Sequence, residues 1–109
     1  MLSVILTFAL TGASAGEPTY LRCVFPGRED HPVMITADES NSRVSVSLPS
    51  TGHSESMSAA FTPTEVRFSD RSLTYVISRT DLTVRRTIRL ISSTDVGSCT
   101  VEEAPQRAF

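Results

Sequence analysis

Short runs of β-branched and aromatic residues, separated by clusters of turn residues, recur along most of the chain. In the clearest run, 43–48 (RVSVSL), polar and apolar side chains alternate without a break, which is the period of a half-buried strand. Comparable runs lie at 19–25, 32–37, 64–69, 73–79 and 82–91, with a strand or short helical turn at 57–61 and a closing strand at 99–102. The pattern predicts an all-β fold, a small antiparallel meander of about seven or eight short strands that forms a barrel or sandwich.

The chain contains only two cysteines, Cys23 and Cys99, near the two ends of this pattern. In an exported chain an even cysteine count predicts disulfides, and two cysteines allow a single intramolecular pairing. A redox pair is usually spaced Cys-x-x-Cys, and a metal site would need further ligands nearby, so a structural bridge is the favoured interpretation. Closing so long a loop would stabilise the fold by about 4–5 kcal/mol in the chain-entropy model.

The N-terminal segment predicts export. Residues 2–10 are apolar or hydroxylic throughout, and Ala13-Ser14-Ala15 supplies the Ala-x-Ala pattern that signal peptidase cleaves. A spanning helix needs about 20 apolar residues, so a membrane anchor is the weaker alternative. We expect a cleaved signal peptide at 1–15 and a secreted or periplasmic protein with no stable membrane insertion after cleavage. A single β domain at 16–102 and a flexible tail at 103–109 would follow.

Charge and motif content argue against several functional classes. The formal net charge is −2 and every basic residue is arginine, so the basic excess of a nucleic-acid binder is absent. There is no Gly-x-Ser-x-Gly motif, and Gly52-His53-Ser54-Glu55 places triad-type residues consecutively, where they cannot converge. His31 and His53 lie in polar, turn-rich stretches without a recognised ligand spacing. We therefore expect a non-enzymatic protein without a metal or cofactor.

The segment 74–90, TYVISRTDLTVRRTIRL, carries four arginines among β-branched and aliphatic residues. If 82–91 is one regular strand, Arg85 and Arg89 share one face and Arg86 lies on the other. The first two would be about 13 Å apart along the strand, which suits two separate, solvated side chains. The face that includes Arg86 otherwise carries Leu82, Val84, Ile88 and Leu90.

Arg86 is the exception in this run, because a buried guanidinium needs an acidic or aromatic partner. A two-residue turn at Thr80-Asp81 would set Tyr75 opposite Arg86 and bring the apolar residues of both strands onto one face. The other pairs in this register are Ile77 with Val84 and Leu73 with Ile88. We expect Arg86 to rest on the ring of Tyr75 near the rim of the core. A β-bulge at Arg85-Arg86, which would turn both arginines outward, is the alternative.

Three features together resemble the membrane-bound or periplasmic inhibitors of C-type lysozyme: Tyr20-x-x-Cys23 at the mature start, the run of short strands, and the lone Cys99 in the last strand. The resemblance implies a small β-barrel tied between its ends by a disulfide. That family has Tyr-x-Cys at its start, and its inhibitory loops use a Ser-Gly motif and a later lysine. Here lysine is absent, and the nearest counterpart is Ser72-Leu73-Thr74-Tyr75.

A second resemblance lies in YVISRTDLTV, residues 75–84. It is similar to a Tyr-x-Ile-x-Arg-x-Thr-Gly hairpin found in small exported proteins of tailed phages and proteobacteria that have no known function. Asp81 stands near the position of their glycine. This resemblance implies a hairpin and does not imply any particular activity.

The favoured interpretation is an exported, non-enzymatic module that binds another protein, with inhibition of a lysozyme-type glycosidase as its most concrete form. Arg71 with Ser72 would then plug a cleft lined with catalytic carboxylates. The alternative is a structural or accessory protein of a cell envelope or phage particle. The candidate interaction residues are Arg71, Ser72, Tyr75, Arg79 and Arg86.

Overall fold

A computed structural model of the chain describes residues 16–104, so the predicted signal peptide and most of the predicted tail lie outside the described residues. The strands are β1 (Thr19–Val24), β2 (Val33–Asp38), β3 (Arg43–Leu48), β4 (His53–Phe61), β5 (Glu65–Ser69), β6 (Leu73–Ser78), β7 (Thr83–Ile88) and β8 (Ser93–Glu102). One turn of 3-10 helix, Glu39–Asn41, connects β2 to β3. The predicted all-β architecture is confirmed.

The strands form a closed barrel rather than a sandwich. Each strand pairs antiparallel with the strands before and after it in sequence, and β8 returns to pair with β1. Alternate side chains of short strands fill the interior of such a barrel, as Val44 and Val46 of β3 do here. Because the sheet closes on itself, no strand of the barrel is left with an unpaired edge.

The predicted disulfide joins the first strand to the last. Cys23 and Cys99 are paired directly across β1 and β8, with their Cα atoms 4.0 Å apart and both side chains buried. The bond therefore lies where the barrel closes, and it spans 76 residues of sequence.

Four of the loops that connect the strands have a common backbone geometry. Each is a four-residue loop between paired strands, and its last residue has the left-handed conformation. These last residues are Ser42 (φ 51°), Gly52 (φ 77°), Leu82 (φ 62°) and Ser92 (φ 53°). The two-residue turn expected at Thr80-Asp81 is thus the centre of a longer loop, 79–82. The predicted two-residue turn and the observed four-residue loop are both centred on the peptide bond between Thr80 and Asp81. The predicted register between β6 and β7 is therefore confirmed.

Several strand bounds differ from the predicted ones. Residues 57–61 are strand, and their strand begins at His53 rather than after a polar loop. The last strand begins at Ser93, well before the expected 99–102. β7 ends at Ile88 instead of continuing to residue 91, because the chain turns through 89–92 to pair Ile88 with Ser93.

We expect protein purified from an oxidising compartment to contain no free thiol, because the paired geometry places both sulfur atoms in one buried bond. Thiol titration under denaturing conditions checks this, and two equivalents per chain would contradict it. Replacing both cysteines with alanine should lower the free energy of unfolding by about 4–5 kcal/mol. The chemical denaturation midpoint measures that loss.

Gly97 in β8 should not tolerate a side chain. A Cβ atom there would collide with the backbone oxygen of Val24 and lie 2.9 Å from the ring of Phe25. We expect Gly97→Ala to lower the free energy of unfolding by about 1–3 kcal/mol through overpacking. Gly16→Ala is the matched control, since nothing lies within 4 Å of the Cβ position there. Equal denaturation midpoints for the two variants would refute this account.

Candidate functional site

The barrel has two ends that differ in their loops. Loops 25–32, 49–52, 70–72 and 89–92 lie at what we call the upper end, and loops 39–42, 62–64 and 79–82 lie at the lower end. This division follows from the alternating direction of the strands. It places four of the five candidate interaction residues towards the upper end, and Arg79 at the lower end.

A tight hairpin turn presents Arg71 and Ser72 at the upper end. The backbone N–H of Asp70 donates to the carbonyl of Leu73 at 3.0 Å. One carboxylate oxygen of Asp70 accepts from the backbone N–H groups of Ser72 (2.8 Å) and Leu73 (2.7 Å). This Asx-type capping fixes the turn and leaves Arg71 and Ser72 as its two tip residues.

Arg89 joins this turn to the neighbouring hairpin. Its Nη2 donates to the carbonyl of Asp70 at 2.7 Å and to that of Arg71, and its Nη1 donates to the carbonyl of Leu73 at 3.1 Å and to Thr74 Oγ1 at 2.9 Å. The backbone N–H of Arg89 also donates to the carbonyl of Ser72 at 3.0 Å. Arg89 is exposed, as expected, but the expectation that it stands apart from other groups was wrong. β7 ends before it, so the side chain reaches across to the neighbouring turn instead of projecting from the sheet.

Two aliphatic side chains protrude beside this turn. Leu90 is 90% exposed and Ile91 is 65% exposed, at the tip of the loop between β7 and β8. Leu90 was expected on the buried face of a longer strand, which ends at Ile88 instead. We call Arg71, Ser72, Leu90 and Ile91 the twin tip, because Arg89 holds the two hairpin ends together. Leu90 and Ile91 together form a small exposed apolar patch next to polar side chains.

Arg86 points into the barrel at the same end. It is paired directly opposite Tyr75, as the register predicts, and the pairing passes through Arg85 without a bulge. Its guanidinium lies 4.0 Å from the centre of the Phe25 ring, and Nη2 donates to Asp95 Oδ2 at 3.1 Å. The Arg86 side chain is 15% exposed and Phe25 is buried, so the contact with the ring is little screened by solvent. Asp95 is 48% exposed, so solvent screens the ion pair more strongly.

The ring beneath this guanidinium is Phe25 rather than the expected Tyr75. Tyr75 instead stacks on Phe68, with ring centres 4.9 Å apart and an interplanar angle of 11°. Phe25 comes directly after β1 and is 3% exposed. Burial raises the pKa of the Tyr75 phenol, and the nearby Arg86 partly opposes that shift.

Arg79 lies away from the twin tip. Its Nη2 pairs with Glu39 Oε1 at 2.9 Å, and its Nη1 donates to the carbonyl of Thr62 at 2.7 Å. The hydrogen bond from Arg79 holds the pKa of the Glu39 carboxyl below its usual value. Arg79 therefore joins two loops of the lower end, beside a pocket of about 200 Å³ with Phe61 in its wall. The structure does not bring it together with the other candidate residues.

The histidine-containing stretch at 52–55 does not assemble a triad. His53 and Glu55 share one face of β4, with Nε2 and Oε1 3.1 Å apart, and Ser54 lies between them on the alternating strand. Within residues 16–104, no cluster of three or more His, Cys, Asp or Glu side chains could hold a metal ion. In the same part of the chain, no helix is long and apolar enough to cross a membrane.

Sequence reasoning missed Leu90 and Ile91 as candidate residues. The sequence did indicate that at least one of them is exposed, because two adjacent residues of a strand cannot both face its interior side. The following Ser92-Ser93-Thr94 stretch also indicates a turn.

Comparisons with known proteins do not identify the chain. No family model matches it. No curated protein and no solved structure matches it either.

We expect Arg86→Ala to destabilise the protein clearly more than Arg85→Ala. Removing Arg86 leaves Asp95 without its partner and uncovers Phe25, which should lower the free energy of unfolding by about 2 kcal/mol. Arg85 is exposed on the outer face, and its removal should change that free energy by less than about 0.5 kcal/mol. Thermal denaturation compares the two, and equal small effects would mean that the inward contacts of Arg86 contribute nothing.

Proposed function

We propose that this protein is an exported binding module that contacts another protein through the twin tip. The observation that carries the proposal is the exposure of Leu90 and Ile91 beside Arg71 on a fixed turn. The Cys23–Cys99 bond supports the exported setting, since disulfides persist in oxidising compartments.

The construction of the twin tip suits recognition. The hydrogen bonds of Asp70 and Arg89 order both hairpin ends before any partner arrives, which reduces the entropy lost on binding. Among the described residues, three arginine–carboxylate ion pairs and two histidine–carboxylate contacts occur, and none includes Arg71. No internal ion pair therefore has to be broken before this exposed arginine contacts a partner. Arginine is enriched at interfaces, and the two exposed aliphatic side chains beside it supply apolar surface that a partner can bury.

The most concrete partner is a glycosidase of the C-type lysozyme class. Such enzymes place two carboxyl groups on either side of the scissile bond, inside a cleft. The twin tip is a protrusion that carries a cation, so it would block substrate entry while Arg71 approaches those carboxylates. The closed, disulfide-tied barrel would serve as a rigid support for the inserted tip.

Inhibition of cell-wall lysis tests this proposal. We expect purified protein to slow lysis by a C-type lysozyme, and Arg71→Ala to weaken inhibition at least about tenfold, which is about 1.4 kcal/mol. Leu90→Ser combined with Ile91→Ser should weaken it as well. Arg43→Ala is the matched control, because Arg43 is an exposed arginine at the start of β3, towards the lower end.

Absence of inhibition at a large molar excess would exclude this enzyme class. A pull-down from periplasmic extract then tests the broader proposal. One stoichiometric protein that is lost with the Leu90/Ile91 variant would support a binding module. Recovery only within envelope or particle fractions, unaffected by that variant, would favour the structural or accessory alternative.

A further inference from the structure

A pocket of about 310 Å³ opens at the upper end, apart from the twin tip. It lies between the loop that follows β1 and the loop that connects β3 to β4. Its apolar wall is formed by Phe25, Val33 and Leu48, all of which belong to or pack against the barrel core. A pocket of this size can take a small molecule with a body of about one ring.

The polar groups of this pocket are all hydrogen-bond donors or cations. They come from Arg28, His31, Ser50, Thr51 and Arg86, and none of the residues that line the pocket is acidic. Two of the five are permanently charged guanidinium groups. The two fixed cations make the pocket complementary to an anion, although the carboxylate of Asp95, which is not among the lining residues, already pairs with Arg86.

Arg86 distinguishes this pocket from a cluster of exposed surface residues, because its side chain is mostly buried. Its hydrogen bond to Asp95 uses one of five guanidinium N–H groups. Among the described residues, no buried side-chain nitrogen or oxygen lacks a hydrogen-bond partner. The nitrogens of Arg86 that make no such bond are therefore not sealed in the core, although the side chain is only 15% exposed. Contact with Phe25 and Asp95 holds the group in place before a ligand arrives.

We infer that this pocket binds a small molecule that carries a carboxylate or phosphate group on an apolar body. The oxyanion would accept hydrogen bonds from Arg86, Arg28 and the hydroxyl of Ser50, since the hydroxyl of Thr51 already donates to the carbonyl of Leu48. The body would lie against Val33 and Leu48. Oxyanions bound by arginine accept charge-assisted, often bidentate hydrogen bonds. The site shares no residue with the twin tip, so it does not depend on the proposed function.

Benzoate, followed by two-dimensional NMR of isotopically labelled protein, tests this inference. We expect saturable shifts of the backbone amides of His31, Ser50 and Thr51, with a dissociation constant on the order of 1 mM. Benzyl alcohol has the same ring and no charge, and it should bind at least about fivefold more weakly. Inorganic phosphate at constant ionic strength should displace benzoate, which shows that carboxylate and phosphate share the site.

Matched variants locate the binding. Arg28→Gln should weaken benzoate binding at least about fivefold, whereas Arg43→Gln should leave it unchanged. Arg71→Ala should also leave it unchanged, which separates this site from the twin tip. Equal binding of benzyl alcohol and benzoate, shifts confined to residues outside the pocket, or full binding by Arg28→Gln would each overturn the inference.

Discussion

The pairing of β1 with β8 is the constraint on which the rest of the structure depends. Without it, the eight strands would form an open sheet with two exposed edges and no enclosed interior. The Cys23–Cys99 bond lies within this pairing and joins strands that are far apart in sequence. It therefore limits the freedom of the unfolded chain at the contact whose formation costs the most entropy. The disulfide thus stabilises the barrel at the strand pairing that is entropically the least favourable to form.

Closure of the barrel also explains why polar side chains that point inward lie near its two ends. Buried apolar side chains from seven of the eight strands fill the interior, and partly buried residues of β4 pack against them. Polar side chains that point inward can therefore be accommodated near the rims. Arg86 is such a residue, and its contacts with Phe25 and Asp95 are possible because Phe25 is positioned just beyond the end of β1. Gly97 leaves room for that ring. The pocket lined by Arg28 and Arg86 and the twin tip occupy different parts of this end.

The sequence predicts this fold well and its site only in part. Strand alternation and two distant cysteines are sufficient for an all-β fold with one bridge, and the apolar residues of β6 and β7 specify their register. The alternation could not distinguish a barrel from a sandwich, because both bury one face of each strand. It also could not show that Arg89 reaches the carbonyl of Asp70, or that Phe25 lies under Arg86, since these contacts depend on where loops end in space. Leu82 in a left-handed conformation was equally unpredictable, since that conformation is unfavourable for a side chain of its type.

The contacts of Arg89 also bear on how readily a protease can cleave the loops of the upper end. Exposed loop tips are the usual sites of proteolytic nicking, and the two hairpin ends of the twin tip contain two bonds of the kind that arginine-specific proteases cleave, Arg71–Ser72 and Arg89–Leu90. The guanidinium of Arg89 is engaged with the neighbouring turn and would have to be withdrawn before it could enter a protease pocket. It also donates to the carbonyl of Arg71, which belongs to the other susceptible bond. The Arg89 side chain thus contacts one of these bonds and belongs to the other, while the tips themselves remain accessible.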